Sequence, residues 1–426
     1  MKINPKSFAL IAALLLLADR GLAGCSAVTA AEAATPAPVA SPAPTFGESY
    51  IDTSDGGHAL LLDEGKMSYA NVTVRKTGDA EGDKADFYGE NAAVLASNGA
   101  ELSLREVSVS SDGKHANAVF SYGAGTVVNI ADSTIVTGGA CSGGLMTTGG
   151  GTMNADNLVV RTAGNSSAAI RSDRGGGTVR VSGGTYSTDG VGSPAIYSTA
   201  DIAVKDAELS STASQAVVIE GKNSVRLENT AVTANNVRKN SGKSPWYQAV
   251  MLYQSMSGDA SEGTAEFNML GGSLTNLNGD VFFVNNTSAV INLTGAAIVN
   301  DDPAGVFLRA AAAGWGRAGE NGGHVTLNTA AQTIDGDLLV DSLSSLRLHL
   351  ADGSVLTGAV NPTGEGAVTV QLTDGAKWSL TGDSHVDSLR CEADSIQLNG
   401  YTLTVGGVEY IEGLALAGAP VDQADQ

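Results

Sequence analysis

Short apolar triplets recur along the middle of this chain at a nearly fixed spacing. They are Ala93-Val94-Leu95, Ala118-Val119-Phe120, Gly144-Leu145-Met146, Ala169-Ile170-Arg171, Ala195-Ile196-Tyr197 and Ala216-Val217-Val218. Their starts lie 25, 26, 25, 26 and 21 residues apart (118−93, 144−118, 169−144, 195−169, 216−195). A period of this length points to stacked units, each too small to bury its apolar face alone and each covered by its neighbours. Inside one period the pattern alternates apolar and polar. Ala118-Val119-Phe120 is followed by Thr126-Val127-Val128-Asn129-Ile130 and then Thr134-Ile135-Val136, and Ala195-Ile196-Tyr197 by Asp201-Ile202-Ala203-Val204 and Glu208-Leu209-Ser210. Each period therefore predicts three short strands, with no helical spacing after the N-terminal leader. A leucine-rich repeat has one strand per unit, and a propeller blade needs four strands and about 40 residues.

Composition agrees with a narrow, tightly turned stack. There are 54 glycines in 426 residues and only 5% aromatics. Small residues suit the interior, and Gly, Asn and Asp suit corners that need positive φ. On these triplets and strand patterns the chain resembles the adhesin-like right-handed parallel β-helix proteins of bacterial surfaces, over roughly residues 50–410. The resemblance implies an all-β parallel β-helix, or β-solenoid, with three short strands per coil of about 25 residues. Handedness comes from the resemblance alone.

Residues 1–24 read as an export signal, with Lys2 and Lys6 ahead of the apolar run Phe8–Ala18, which is too short to span a bilayer. Leu22-Ala23-Gly24-Cys25 resembles the lipobox of bacterial lipoproteins, which implies a lipid on Cys25 and anchoring at the cell surface or outer membrane. Asp19-Arg20 depart from that pattern, and cleavage after Val28-Thr29-Ala30 would instead release a secreted protein. Residues 25–46, with Pro36, Pro38, Pro42 and Pro44, form an extended linker. The β-helix is expected over 47–332. The polar run Lys76–Asp86 reads as a solvated corner insertion, and Val237–Tyr247 and Ala310–Gly323 as longer loops. From Thr333 to 416 longer alternating strands continue and cap the stack, and 417–426 read as a frayed tail.

No catalytic constellation stands out. Asp132, Asp156 and Asp206 fall before the third strand of their periods, but Gly183, Asn229, Gly272 and Gly295 take the matching place elsewhere. Interchange of Asp, Asn and Gly marks a left-handed corner rather than a working carboxylate. The five histidines, among them His115 and His349, show no metal-ligand spacing, and Cys141 and Cys391 lie too far apart in sequence to suggest a bridge. No cofactor motif is present. The net charge is −21, and removal of Lys2, Lys6, Asp19 and Arg20 (+2 together) leaves −23, which disfavours nucleic acid. If Val119, Ile170 and Ile196 point inward, the next residues point out. Leu95, Phe120, Met146, Arg171, Tyr197, Val218 and Met251 then form a stripe down one sheet, a candidate track for a polysaccharide or cell-surface ligand. A loop such as Val237–Tyr247 folding over that stripe is the competing reading. Trp246, Trp315 and Arg317 on the two long loops are second candidates. The expected function is that of a monomeric, lipid-anchored, non-catalytic binding or surface-structure protein. The alternative is a polysaccharide lyase or glycoside hydrolase on the same fold, marked by acidic or basic side chains of adjacent units converging near Arg171, Asp173 and Arg174.

Overall fold

The computed structural model describes residues 47–303 and 306–421; the signal, Cys25 and the Pro-rich linker lie outside the described residues. The described chain is all-β, built of long sheets of parallel strands with a repeat-like order. An 11-stranded sheet takes one strand from each period, and its order follows the sequence from Leu60–Leu62 to Asp337–Val340. Its register runs Val94, Val119, Leu145, Ile170, Ile196, Val217, Val250 and Phe282, each opposite the next. The recurring triplets are therefore one column of the sheet. The other two strands of each period, such as Val127–Ala131 and Thr134–Thr137, belong to a 22-stranded sheet.

Alternation sorts the side chains. Val119, Ile170 and Ile196 join the main apolar core together with inward residues of the larger sheet, including Val128, Ile130 and Ile135. Between the two strands of the larger sheet the chain bends at a left-handed residue: Asp132 (φ 49°), Asn157 (φ 52°), Gly183 (φ 67°), Asp206 (φ 53°) and Asn229 (φ 46°). Asn157, not Asp156, holds that place in its period. These side chains also bond along the stack, Asn157 Nδ2 donating to Asp132 Oδ1 over 2.9 Å and Asn229 Nδ2 to Asp206 Oδ1 over 2.7 Å. The acidic residues of this column thus serve the corner.

A second corner, ahead of each triplet, has a sharper rule. Gly113, Gly139, Gly164 and Gly190 stack so closely that a Cβ on any of the last three would lie 1.8 Å from the carbonyl oxygen of the glycine below. Three residues after each of those three comes a buried serine, Ser142, Ser167 or Ser193. Ser167 Oγ accepts from Ser142 N and Ser193 Oγ from Ser167 N, both over 2.9 Å. The same hydroxyls donate down the stack, Ser142 Oγ to Gly113 O over 2.8 Å and Ser193 Oγ to Gly164 O over 2.8 Å. Buried backbone groups that a turn would orphan are satisfied in this way.

Two segments differ from the sequence expectation. Lys76–Asp86 is a solvated loop only in part: residues 77–82 are irregular with Asp79, Glu81 and Gly82 exposed, but Asp83–Tyr88 is a short α-helix with Ala85 and Phe87 buried. Asp83 and Asp86 lie in its first turn, where acidic side chains favour the helix dipole, and Gly89 closes it in the left-handed conformation. Lys76 is itself fully buried, its ammonium bonded to Ser54 O and 3.7 Å from Asp52 Oδ1. At the other end, Leu416–Ala417 is ordered as a strand antiparallel to Arg390 and Cys391, and Val421 is buried. A second antiparallel pair, Val405 with Val408, closes a three-stranded sheet. From Thr333 a separate four-stranded sheet also begins, including Val355–Thr357 and Lys377–Ser379 around the buried Trp378. Antiparallel returns end a parallel stack without leaving its last strand edge bare.

Candidate functional site

The predicted stripe is a true column. Leu95, Phe120, Met146, Arg171, Tyr197, Val218 and Met251 oppose one another in register, and Phe283 and Arg309 extend it. It lies outside the main core but is not a surface track. Leu95, Phe120 and Met146 form a small buried cluster with Ala92, and Val218 and Met251 a second one with Tyr253, Phe283 and Ala311. The first is roofed by the helix Asp83–Tyr88 and its exit. A Cβ on Gly89 would meet Leu95 at 2.8 Å and Phe120 at 3.1 Å, and Thr148 Oγ1 donates to Phe87 O over 2.7 Å. The second is roofed by the two long loops. Trp246 packs on Phe283 with ring centroids 5.5 Å apart, and Trp315 on Tyr253 at 5.1 Å. The Arg309 guanidinium sits 4.4 Å over Trp246 and is paired with buried Asp280 at 2.6 Å. Of the loop candidates Arg317 is the most open to solvent, at 81% exposure and paired with Glu320 at 3.0 Å, while Trp246 and Trp315 are half-buried.

Between the two apolar clusters lies a polar knot. Arg171 donates to buried Asp173 over 2.8 Å and its guanidinium carbon stands 5.9 Å from the Tyr197 ring centre. The hydroxyls of Tyr197 and Tyr253 and that of Ser255 all donate to Glu220, Tyr253 over 3.1 Å. Burial pushes the Tyr197 and Tyr253 phenols well above their ordinary range, and the Glu220 charge adds to this. Burial likewise raises Asp173 against the opposing pull of Arg171. Arg174 reaches the other way, bonding Asp83 and Asp259 at 2.7 Å each while stacking 3.9 Å over Phe87. Asp173 and Glu220 are 3% and 1% exposed, so these two carboxylates are internal, whereas Arg174 and Asp83 are in part open to solvent. A polymer chain could not reach the two internal carboxylates. Beside the knot a cleft of about 120 Å³ opens between Tyr197, Arg238, Lys239, Trp246 and Trp315.

A larger concavity lies on the other sheet. A groove of about 600 Å³ crosses six stacked strands of the 22-stranded sheet. Its floor is the outward column Ser103, Asn129, Asn154, Arg180, Ala203 and Arg226, in unbroken register. Its edge is the outward column two residues on: Arg105, Ala131, Asp156, Ser182, Lys205 and Glu228. Asn154 Nδ2 donates to Asn129 Oδ1 over 2.9 Å, so the two amides are tied along the column. Arg180 pairs with Asp201 and Arg105 with Asp132, the latter at 2.6 Å. Sequence reasoning passed over this column because its members differ in type. Only the alternation shared by every period placed Asn129, Asn154, Arg180 and Arg226 on one face.

No family model matches the chain, and neither a curated protein nor a solved structure matches it.

Proposed function

We propose that this chain is a lipid-anchored, adhesin-like binding protein of a bacterial surface, built as a right-handed parallel β-helix, whose ligand is an extended glycan lying in the groove of the 22-stranded sheet. The lipid on Cys25 and the Pro-rich linker hold the binding surface away from the membrane. The groove carries this reading. It presents a hydrogen-bonding side chain on nearly every strand over six strands, at the ~4.8 Å strand spacing of a sheet, so its span is roughly 24 Å. That is the length of several sugar residues, and amides and guanidinium groups are the donors that hydroxyl- and carboxylate-bearing sugars engage. The protein acts without catalysis in this reading, supported by the burial of Asp173 and Glu220, the carboxylates beside Arg171 and Tyr197.

The test is a glycan array and a whole-cell binding assay with the purified chain, beside a release assay on acidic polysaccharides. Saturable binding that Arg180→Ala and Asn154→Ala weaken, and Arg317→Ala leaves unchanged, is expected. Liberation of unsaturated or reducing sugar ends would overturn the non-catalytic reading. Binding that persists with a doubly substituted groove floor would overturn the assignment of the site.

A further inference from the structure

The left-handed corner ahead of each triplet holds a different side chain in each period: His115, Cys141 and Ser166, with φ of 50°, 55° and 53°. Corner residues of successive periods stand directly above one another, since His115 N donates to Ala140 O over 2.9 Å and Cys141 N to Asn165 O over 2.8 Å. Asp86, on the helix that roofs the first apolar cluster, leans onto this column and its Oδ1 lies 2.6 Å from His115 Nδ1. The carboxylate, the imidazole and the thiol come from three separate segments, and their donor atoms all lie within 4.8 Å of one another. None is deeply buried, and His115 and Asp86 are each 19% exposed, so the cluster can be reached from solvent.

We propose that Asp86, His115 and Cys141 form a binding site for one divalent ion of the zinc class. A hard ion such as Ca²⁺ or Mg²⁺ wants oxygen ligands alone, whereas one thiolate, one imidazole and one carboxylate is a borderline-soft set that suits Zn²⁺. With metal–ligand bonds of about 2.0–2.3 Å, tetrahedral donors stand roughly 3.3–3.8 Å apart. The cluster needs an adjustment of about 1 Å to reach this spacing, which two side chains on a helix and a corner can supply. On binding, the Asp86–His115 hydrogen bond opens and the Cys141 proton leaves to solvent, giving a thiolate. The three ligands leave a fourth position for water. Arg171 is a cation that bears on this site, bonded to Ser166 O at 3.5 Å and held by Asp173. It bears on both Cys141 and Asp86, and its own pairing limits its repulsion of the ion. A nucleophilic Cys–His–Asp role is the competing assignment. The cobalt titration separates the two, since a nucleophilic triad holds no metal. The ion would tie the roof helix to the stack beneath it.

The test is titration of the full chain with Co²⁺, a spectroscopic substitute for Zn²⁺, followed by Zn²⁺ competition. One cobalt per chain with a thiolate-to-metal charge-transfer band is expected, bleached by Zn²⁺. Cys141→Ser should remove the band and weaken Zn²⁺ binding at least about 100-fold, beyond the 10–100-fold typical of losing an outer-shell partner. Serine already occupies the same corner one period on, at Ser166, so this variant keeps the fold. Cys391→Ser should leave the band intact. Asp86→Asn should lose the protection from hydrogen exchange that Zn²⁺ gives the helix Asp83–Tyr88. Absence of the band in the parent chain, or its survival in Cys141→Ser, overturns the site.

Discussion

Substitution of Gly164 by alanine tests the stacking directly. Its φ lies outside the left-handed region, so an alanine there meets no local backbone penalty. The obstacle is the next period. The new Cβ would stand 1.8 Å from Gly139 O and 2.5 Å from its carbonyl carbon, where real Cβ atoms essentially never approach within 3.0 Å. Relief takes about 1.2 Å of separation (3.0 − 1.8), and both colliding groups are backbone, so no side chain can turn aside. Opening the corner by that amount lengthens Cys141 N→Asn165 O (2.8 Å), Ser142 N→Ser167 Oγ (2.9 Å) and Gly144 N→Ala168 O (3.0 Å) beyond hydrogen-bond range. The second and third of these bonds are buried and the first lies at the surface; each is worth about 1 kcal/mol net, and the buried ones more when a partner is left unsatisfied. A loss of about 3–5 kcal/mol is expected, well above the roughly 1 kcal/mol centre of single substitutions. Gly242, which has no atom within 4 Å of its would-be Cβ, is the control, and Gly242→Ala should change stability by less than about 0.5 kcal/mol. Urea unfolding followed by far-ultraviolet circular dichroism measures both. A Gly164→Ala loss under about 1 kcal/mol would refute the close-stacked corner.

Three further outcomes follow from other parts of the molecule. His349 is buried in the outward column between Asn328 and Gln371, and burial holds its pKa below the ordinary value. Its neutral form is favoured in the fold, so its contribution is complete above the unfolded value of about 6.5 and is lost as pH falls through the lower folded value. Urea midpoints at pH 7.5 and 5 should differ more for the parent chain than for His349→Asn. Phe87→Ala removes the face on which Arg174 stacks at 3.9 Å and unroofs Leu95, Phe120 and Met146, and an aromatic deletion of this kind costs about 3–5 kcal/mol. Increased binding of a hydrophobic dye with little change in far-ultraviolet dichroism is the expected sign, and an unchanged dye signal would count against the roof. Glu220→Gln leaves a neutral acceptor for the hydroxyls of Tyr197, Tyr253 and Ser255, and Glu220→Leu leaves none. The leucine variant should be the less stable by about 1–3 kcal/mol in thermal unfolding, and equal stabilities would mean the knot is not buried.

The parallel-strand order was legible because one spacing carried two independent signals. The triplets at Ala93, Ala118, Gly144, Ala169 and Ala195 repeat every 25 or 26 residues, and each is followed by two alternating runs. A single alternating run fixes only a strand; the same three in sequence fix which strands are neighbours. The glycine–serine corner had an equally strict period, Gly139, Gly164 and Gly190 with Ser142, Ser167 and Ser193, and would have been as good a guide. Apolar runs mask it, because they dominate the periodic pattern. The helix Asp83–Tyr88 was illegible for a different reason. Its six residues are too few to show a 3.6-residue pattern, and Phe87 is helical because of what it covers, not because of its neighbours in sequence.

The fate of the stripe shows where alternation stops informing. It put Leu95, Phe120, Met146, Val218 and Met251 outside the core in one column, and they are there. Whether an outward face meets water depends on segments between the periods, and those follow no repeat. Three of them, the helix at 83–88 and the two tryptophan-bearing loops, cover the apolar parts of the column, while the polar residues Arg171 and Tyr197 lie at the join. The distribution is what burial energetics demand. Apolar side chains exposed in a contiguous row are costly, so a row of them in a sequence is better evidence of a cover than of a ligand. One column left uncovered is that of Asn129, Asn154, Arg180 and Arg226, whose side chains lose nothing by facing water. In a stacked protein of this kind the binding face is therefore to be sought among unremarkable polar columns. The insertions that break the period mark the faces already occupied by the chain itself.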